Sequence, residues 1–194
     1  TLEIEMAELL QERIPSLERV RFCSSGTEAV LNALRSARAF TGKSKIAKFE
    51  GAYHGTDESA VISYLPPLSA NLGPPERPTP YLSSAGLTPS APDNVLVLPF
   101  NNPEACEALL REHARDLAAV IVDPLSTAAG LTLPENDFLT RLRDITTQNN
   151  ILLIFDEIVS FRVAPGGAQE LYNIRPDLTC LGKVIAGGTP GAAF

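Results

Sequence analysis

Three small residues, Ser25, Gly26 and Thr27, stand directly before Glu28 where a helical pattern begins. Two interpretations fit this run. Ser25 and Glu28 have the spacing of a capping box, in which their side chains satisfy free N–H groups at a helix start. The same N–H groups, with a glycine that permits close approach and two hydroxyls, could instead bind a phosphate group against the helix dipole. A dinucleotide fingerprint is excluded because further glycines are missing.

An aromatic ring, an imidazole and a carboxylate follow two other predicted strands. Tyr53 and His54 could form a turn with a packed aromatic, or a ring-stacking face with an imidazole at its edge. Asp156 ends an apolar strand, where a carboxylate is costly without a partner. It could cap a helix or pair with a protonated nitrogen of a heterocyclic ligand. Glu157 beside it is predicted to be a charge in the first turn of a following helix.

Lys183 lies between Gly182 and the apolar, glycine-rich residues 184–188. Most isolated lysines are solvated surface charges, but these surroundings predict a buried amine, whose lowered pKa would make it a nucleophile. A phosphate-binding helix start, a stacking aromatic, a carboxylate for a ring nitrogen and a lysine for a Schiff base form one combination. These are the groups needed to bind pyridoxal 5′-phosphate and to use its ring as an electron sink.

Alternating strands and helices position these residues. Helices are predicted at residues 2–13, from 25 to about 40, at 103–115 and at 136–149. Strands are predicted at 20–23, 45–49, 95–98, 117–122 and 151–155, with an apolar run near 178–181. Because most of these strands are apolar on both faces, the pattern predicts an α/β fold: a three-layer, mostly parallel sheet with helices on both faces. Ligands of such sheets bind beyond the carboxyl ends of the strands, where the candidate residues stand.

The composition fits one domain over residues 1–194, with 44% hydrophobic and 20% charged residues. A net charge of −7 argues against nucleic acid as a partner, and the apolar runs are too short for a membrane span. Three scattered cysteines show neither a disulfide framework nor zinc-ligand spacing, which predicts a cytoplasmic protein without a metal. Eight of the 16 prolines fall within residues 65–93 and predict a long surface loop there.

Several segments resemble the class III pyridoxal-phosphate aminotransferases: residues 23–29 (CSSGTEA), 49–55 (FEGAYHG), 155–162 (FDEIVSFR), 166–169 (GGAQ) and 176–183 (PDLTCLGK). The resemblance covers nearly the whole chain in the family's order, and its nearest branch is the glutamate-1-semialdehyde 2,1-aminomutases. It implies the large, pyridoxal-phosphate-binding domain of a fold-type I enzyme, truncated at both ends. The full-length protein would be a homodimer that acts on a small amino acid or amine.

The resemblance also implies residue roles. Lys183 would form the Schiff base and then move a proton between substrate carbons, and Asp156 would bond the pyridinium nitrogen. The other matching residues would bind the phosphate or lie beside the ring: Ser25, Gly26 and Thr27 at the phosphate, Tyr53 with His54 on one side, and Ile158 on the opposite face.

The reaction stays open among three alternatives. The first is an intramolecular amino shift of the aminomutase kind, and the second is a transamination with a keto acid acceptor. The third is a catalytically inactive cofactor-binding fragment. The chain departs from the aminomutase pattern at Asp123, where that branch has glutamate, and at Thr127 and Ala128, where it has glycine and asparagine.

Overall fold

A five-stranded parallel sheet forms the centre of the protein in the computed structural model, which describes residues 1–67 and 69–194. The strands are β1 Phe22–Cys23, β2 Lys45–Phe49, β3 Val95–Leu98, β4 Leu117–Val122, β5 Leu152–Asp156, β6 Leu178–Cys180 and β7 Ala192–Ala193. The sheet has the order β3-β2-β4-β5-β6, and every neighbouring pair is parallel. The prediction of a mostly parallel α/β sheet is therefore confirmed.

Helices cover both faces of this sheet. They are α1 Leu2–Arg13, α2 Gly26–Thr41, α3 Pro103–His113, α4 Phe138–Gln148 and α5 Gly167–Leu171. The buried face of α2 carries small residues such as Ala29 and Ala33, which pack with Ile121 and Ile154 on one side of the sheet. Helices α3 and α4 pack with the alternate strand residues on the other side. The side chains of β4 are buried on both faces, as the uninterrupted apolar run predicts.

One predicted strand belongs elsewhere. The segment 20–23 was expected in the main sheet, but β1 pairs antiparallel with β7 in a separate two-stranded sheet. A run of this length has no periodicity that reveals its partner, and no sequence pattern indicated β7.

The order of the strands creates a reversal in the sheet. From β2 the chain passes to β3 on one side, and then returns to β4 on the other side of β2. The segments that leave β2 and β4 therefore diverge at the carboxyl ends of the strands. This divergence opens a crevice in doubly wound sheets, and such crevices bind ligands.

The segment from β2 to β3 is long. Leu68 lies outside the described residues. The other residues of the range 50–90 form turns and bends but no helix or strand. The predicted proline-rich loop 65–93 ends in a short 3-10 helix, Ala91–Asn94.

None of the helices in the described part of the chain has the length and apolar content that a membrane crossing requires. Over the same residues, no group of three or more His, Cys, Asp and Glu side chains is arranged for a metal ion.

Candidate active site

A cleft of about 560 Å³ opens at the carboxyl ends of β2, β4 and β5. The structure brings seven of the eight predicted site residues to its walls: Ser25, Gly26, Thr27, Tyr53, Asp156, Ile158 and Lys183. The eighth, His54, is buried behind the wall. Residues more than 150 positions apart in the chain therefore share one cavity.

The amino end of α2 forms one wall of the cleft. The Ser25 side chain accepts a hydrogen bond from the Glu28 N–H at 3.2 Å, as a helix cap does. The Glu28 carboxylate accepts from the Ser24 N–H at 2.9 Å, one residue before the position it takes in a standard capping box. The first N–H groups of a helix have no partner within that helix, so those of Gly26 and Thr27 stay available to an anion. The capping and anion-binding interpretations are compatible.

Gly26 allows α2 to approach the opposite wall. A Cβ atom at this position would lie 2.6 Å from Ile158 Cδ1. Any larger residue would therefore push Ile158 from its place in the cleft. Gly55, which has a φ of +88°, approaches the same helix end, since a Cβ there would lie 2.7 Å from Thr27 Oγ1. Both glycines keep the helix start close to the segments around it.

Asp156 is held by two donors at the end of β5. Its Oδ2 lies 2.7 Å from His54 Nδ1, and its Oδ1 accepts from the Ile158 N–H at 3.2 Å. His54 Nε2 is buried without a hydrogen-bond partner among the described residues. A proton on Nε2 would be left unsatisfied, so we assign the proton of a neutral imidazole to Nδ1, where it is donated to Asp156. The expected place of His54 at a ring edge thus differs from its observed place, in which it supports the carboxylate.

Two tyrosines form the aromatic side of the cleft. The ring centroids of Tyr53 and Tyr64 are 4.7 Å apart and their planes are inclined by 56°. Both rings line the cavity, and Tyr53 remains 40% exposed. Sequence reasoning identified Tyr53 but missed Tyr64, because an irregular segment has no periodicity that marks its cavity-facing residues.

Lys183 lines the cleft from a short 3-10 helix, Lys183–Ala186. The prediction that it is buried is wrong: Gly182 is buried, but the chain turns outward at Lys183, whose side chain is exposed. Gly187 and Gly188 carry no side chains that could cover it. Lys183 has a φ of +46°, a left-handed conformation that costs energy for a residue with a Cβ atom.

Glu157 is wholly buried, which corrects its prediction as a charge in a helical first turn. Its carboxylate accepts hydrogen bonds from the backbone N–H groups of Ala168 and Gln169 and from the Gln169 side chain. Burial raises the pKa of Glu157, and the hydrogen bonds from Gln169 and Ala168 oppose that rise. This residue ties the loop after β5 to α5 and does not line the cleft.

Asp123 and Thr127 shape the wall after β4. The buried Asp123 carboxylate accepts hydrogen bonds from the Leu125 N–H at 3.1 Å and from the Thr127 N–H at 2.8 Å. It also accepts from the Thr127 hydroxyl. Asp123 is thus engaged by its own turn, which presents Thr127 and Ala128 to the cavity.

The chain matches the family described as aminotransferase class-III over residues 2–194. It is 46% identical over 193 residues to the glutamate-1-semialdehyde 2,1-aminomutase of Akkermansia muciniphila, with 99% of this chain and 43% of the relative covered. It is 47% identical over 194 residues to the enzyme of the same name from Persephonella marina, with 100% of this chain and 44% of the relative covered. The chain therefore spans less than half the length of these relatives.

Solved structures show the same fold. An omega-transaminase from Sphaerobacter thermophilus superposes with a TM-score of 0.91 at 45% identity, covering 98% of this chain and 43% of the other. A glutamate-1-semialdehyde-aminomutase from Pseudomonas aeruginosa in complex with PMP gives a TM-score of 0.83 at 28% identity, covering 98% of this chain and 40% of the other. The sheet and its helices are thus the fold-type I architecture of these enzymes.

Proposed function

This chain belongs to the class-III aminotransferase family, and from that premise we propose that the whole protein is a pyridoxal-phosphate enzyme that moves an amino group. The observation that carries this proposal is the convergence of four kinds of group on one cleft: a helix amino end, an aromatic face, a supported carboxylate and a free amine. These four groups fit pyridoxal phosphate, because its phosphate, ring, ring nitrogen and aldehyde each need one such partner.

Each residue has a distinct task in this proposal. The amino end of α2, with the side chains of Ser25 and Thr27, binds the phosphate. Tyr53 covers one face of the ring and Ile158 the other. When bound, pyridoxal phosphate supplies a positively charged ring that stabilises negative charge at the carbon next to the amino group.

Asp156 keeps a proton at the ring nitrogen. Its negative charge stabilises the protonated nitrogen, and the hydrogen bonds from His54 and the Ile158 N–H fix the direction of the carboxylate. Lys183 also lines this cleft, from the segment that follows β6. Its amine would hold the cofactor and, once the substrate amine takes its place, would remove a proton from one substrate carbon and return it to another.

The favoured reaction is an intramolecular amino shift of the glutamate-1-semialdehyde 2,1-aminomutase kind, because relatives with that name are 46–47% identical to this chain. The second candidate is a transamination between an amino acid or amine and a keto acid. It is supported by the omega-transaminase structure, which is 45% identical, whereas the aminomutase structure is 28% identical.

One experiment separates these reactions. The full-length protein, loaded with pyridoxal phosphate, is given either glutamate-1-semialdehyde or a candidate amino donor, each without a second substrate. An aminomutase converts the semialdehyde over many turnovers into an isomer with the amino group on the neighbouring carbon, without releasing stoichiometric keto product. A transaminase releases one keto product per site from the donor and then stops. A protein that binds no cofactor would refute both reactions.

The remaining expectations follow from the same proposal. We propose that two copies of the full-length protein associate and that it works in the cytoplasm. All three cysteines are free, and Cys106 and Cys180 are buried, as suits a reducing compartment. Residues 1–194 taken alone could fold around this sheet and still be inactive, since they form less than half of the relatives' length.

A further inference from the structure

A second lysine, Lys48, is buried beneath the aromatic side of the cleft. It lies in β2, which has β3 on one side and β4 on the other, and none of its surface is exposed. Its Nζ donates hydrogen bonds to Ala52 O at 2.8 Å and to Ile62 O at 2.5 Å. Buried lysines are rare because the ammonium loses its hydration, so a lysine in this place calls for a physical reason.

The two carbonyl groups belong to the segments that carry the two cleft tyrosines. Ala52 directly precedes Tyr53, and Ile62 stands two residues before Tyr64. A backbone hydrogen bond of 2.8 Å from the Gly51 N–H to the Ser63 carbonyl joins the same segments. Since neither segment is a helix or a strand, few other bonds fix the distance between them.

Asp156 is connected to the same place. His54, whose imidazole supports the Asp156 carboxylate, follows Tyr53 in the chain. A shift at the Ala52 carbonyl would therefore move both the Tyr53 ring and the His54 imidazole that supports Asp156.

Resting on the proposed function, we propose that Lys48 is a positioning residue of the cofactor site. Its Nζ joins the segments of Ala52 and Ile62 and so sets the place of Tyr53 and Tyr64 against the cofactor ring. It does not touch the cofactor and acts through these two segments.

The amine suits this task at any pH. Burial lowers the pKa of Lys48 to about 7. The neutral amine still has two N–H groups, one for each carbonyl, so both bonds persist after the proton is lost. A methionine of similar length fills the same space but would leave two buried carbonyl groups without a donor.

Lys43 provides a matched control. Its Nζ also donates to two carbonyl oxygens, those of Ala114 at 2.9 Å and Asn150 at 3.0 Å. It does not line the cleft. A lysine-to-methionine change at this position therefore removes the same pair of bonds without affecting the tyrosines.

The test compares Lys48→Met with Lys43→Met in the full-length protein. Three quantities are measured: the Kd for pyridoxal phosphate, the visible circular dichroism of the bound cofactor and the melting temperature. We expect Lys48→Met to raise the Kd about tenfold or more and to change the dichroism, because both report on ring position. Lys43→Met should lower only the melting temperature. Lys48→Gln, which keeps two N–H groups on a shorter stem, should recover part of the affinity, and it serves as the test if Lys48→Met does not fold.

Two results overturn the proposal separately from each other. If the variants at position 48 keep the wild-type Kd and dichroism and lose only melting temperature, Lys48 is structural and the proposed function stands. If the wild type itself binds no pyridoxal phosphate, the proposed function fails and the role of Lys48 fails with it.

Discussion

Replacing Lys48 by methionine should change how the stability of the protein depends on pH. Burial lowers the pKa of this lysine in the native state from its ordinary 10.5 to about 7. Between those values the unfolded chain binds a proton that the native protein has released. Wild-type stability therefore rises with pH through this window, and the gain is lost as the pH falls back through the native pKa. The methionine of the variant has no proton to bind or release, so this contribution to the pH dependence is absent.

The expected size follows from the two pKa values. Each pH unit inside the window is worth at most about 1.4 kcal/mol. From about pH 7 to about pH 9.5, the unfolding free energy of the wild type should rise by roughly 3 kcal/mol relative to that of Lys48→Met. The first pH unit contributes only in part, because the native lysine is only partly deprotonated near its pKa. Urea unfolding of both proteins across this range gives the difference in unfolding free energy at each pH. Groups that titrate alike in both proteins cancel in that difference.

The opposite outcome is a difference in unfolding free energy that stays level or falls as the pH rises. It would mean that Lys48 keeps its proton in the native protein throughout the window. Lys43→Met serves again as the control for losing two lysine hydrogen bonds to backbone carbonyl groups.

Three further changes follow from the same contacts. Gly26→Ala should weaken pyridoxal-phosphate binding about tenfold in a cofactor titration, because the new methyl group displaces the flexible end of Ile158 into the cleft. The melting temperature should change little. An unchanged affinity for the cofactor would contradict this prediction. Glu157→Leu should lower the unfolding free energy, measured in urea, by about 2–4 kcal/mol, because the buried N–H groups of Ala168 and Gln169 lose their acceptor. A loss under about 0.5 kcal/mol would count against Glu157 as a stabilising acceptor. His54→Phe should raise the cofactor Kd about tenfold by leaving Asp156 without its side-chain donor, and an unaltered Kd would argue against the pairing.

Much of the fold could be predicted because its strands are buried on both faces. The runs 45–49, 95–98 and 117–122 coincide with β2, β3 and β4, since apolar runs bounded by turn residues give a strong local signal. Helix α2 begins after Ser25 and ends at Gly42, which has the left-handed conformation common after helices. The short β1 and β7 could not be paired in this way, because two-residue strands depend on contacts far apart in the sequence.

The candidate site was predictable where residues directly follow strands. Residue type and position identified Asp156 and Lys183, and the strand order brought both to one cleft. Burial was harder to predict. Lys183 is exposed and Glu157 is buried, because each depends on how the chain turns after its strand. Lys48 was missed although it had a signal, a charged residue inside an apolar strand.

Lys183 is the residue expected to carry the cofactor, and chemical labelling can identify that residue. The full-length protein loaded with pyridoxal phosphate is reduced with borohydride and digested, and mass spectrometry locates the modified lysine. We expect the cofactor on the peptide that contains Lys183, and no retained cofactor in Lys183→Ala. A cofactor fixed to Lys48 or to any other lysine, or an unmodified Lys183 in a loaded protein, would show that Lys183 does not have this role.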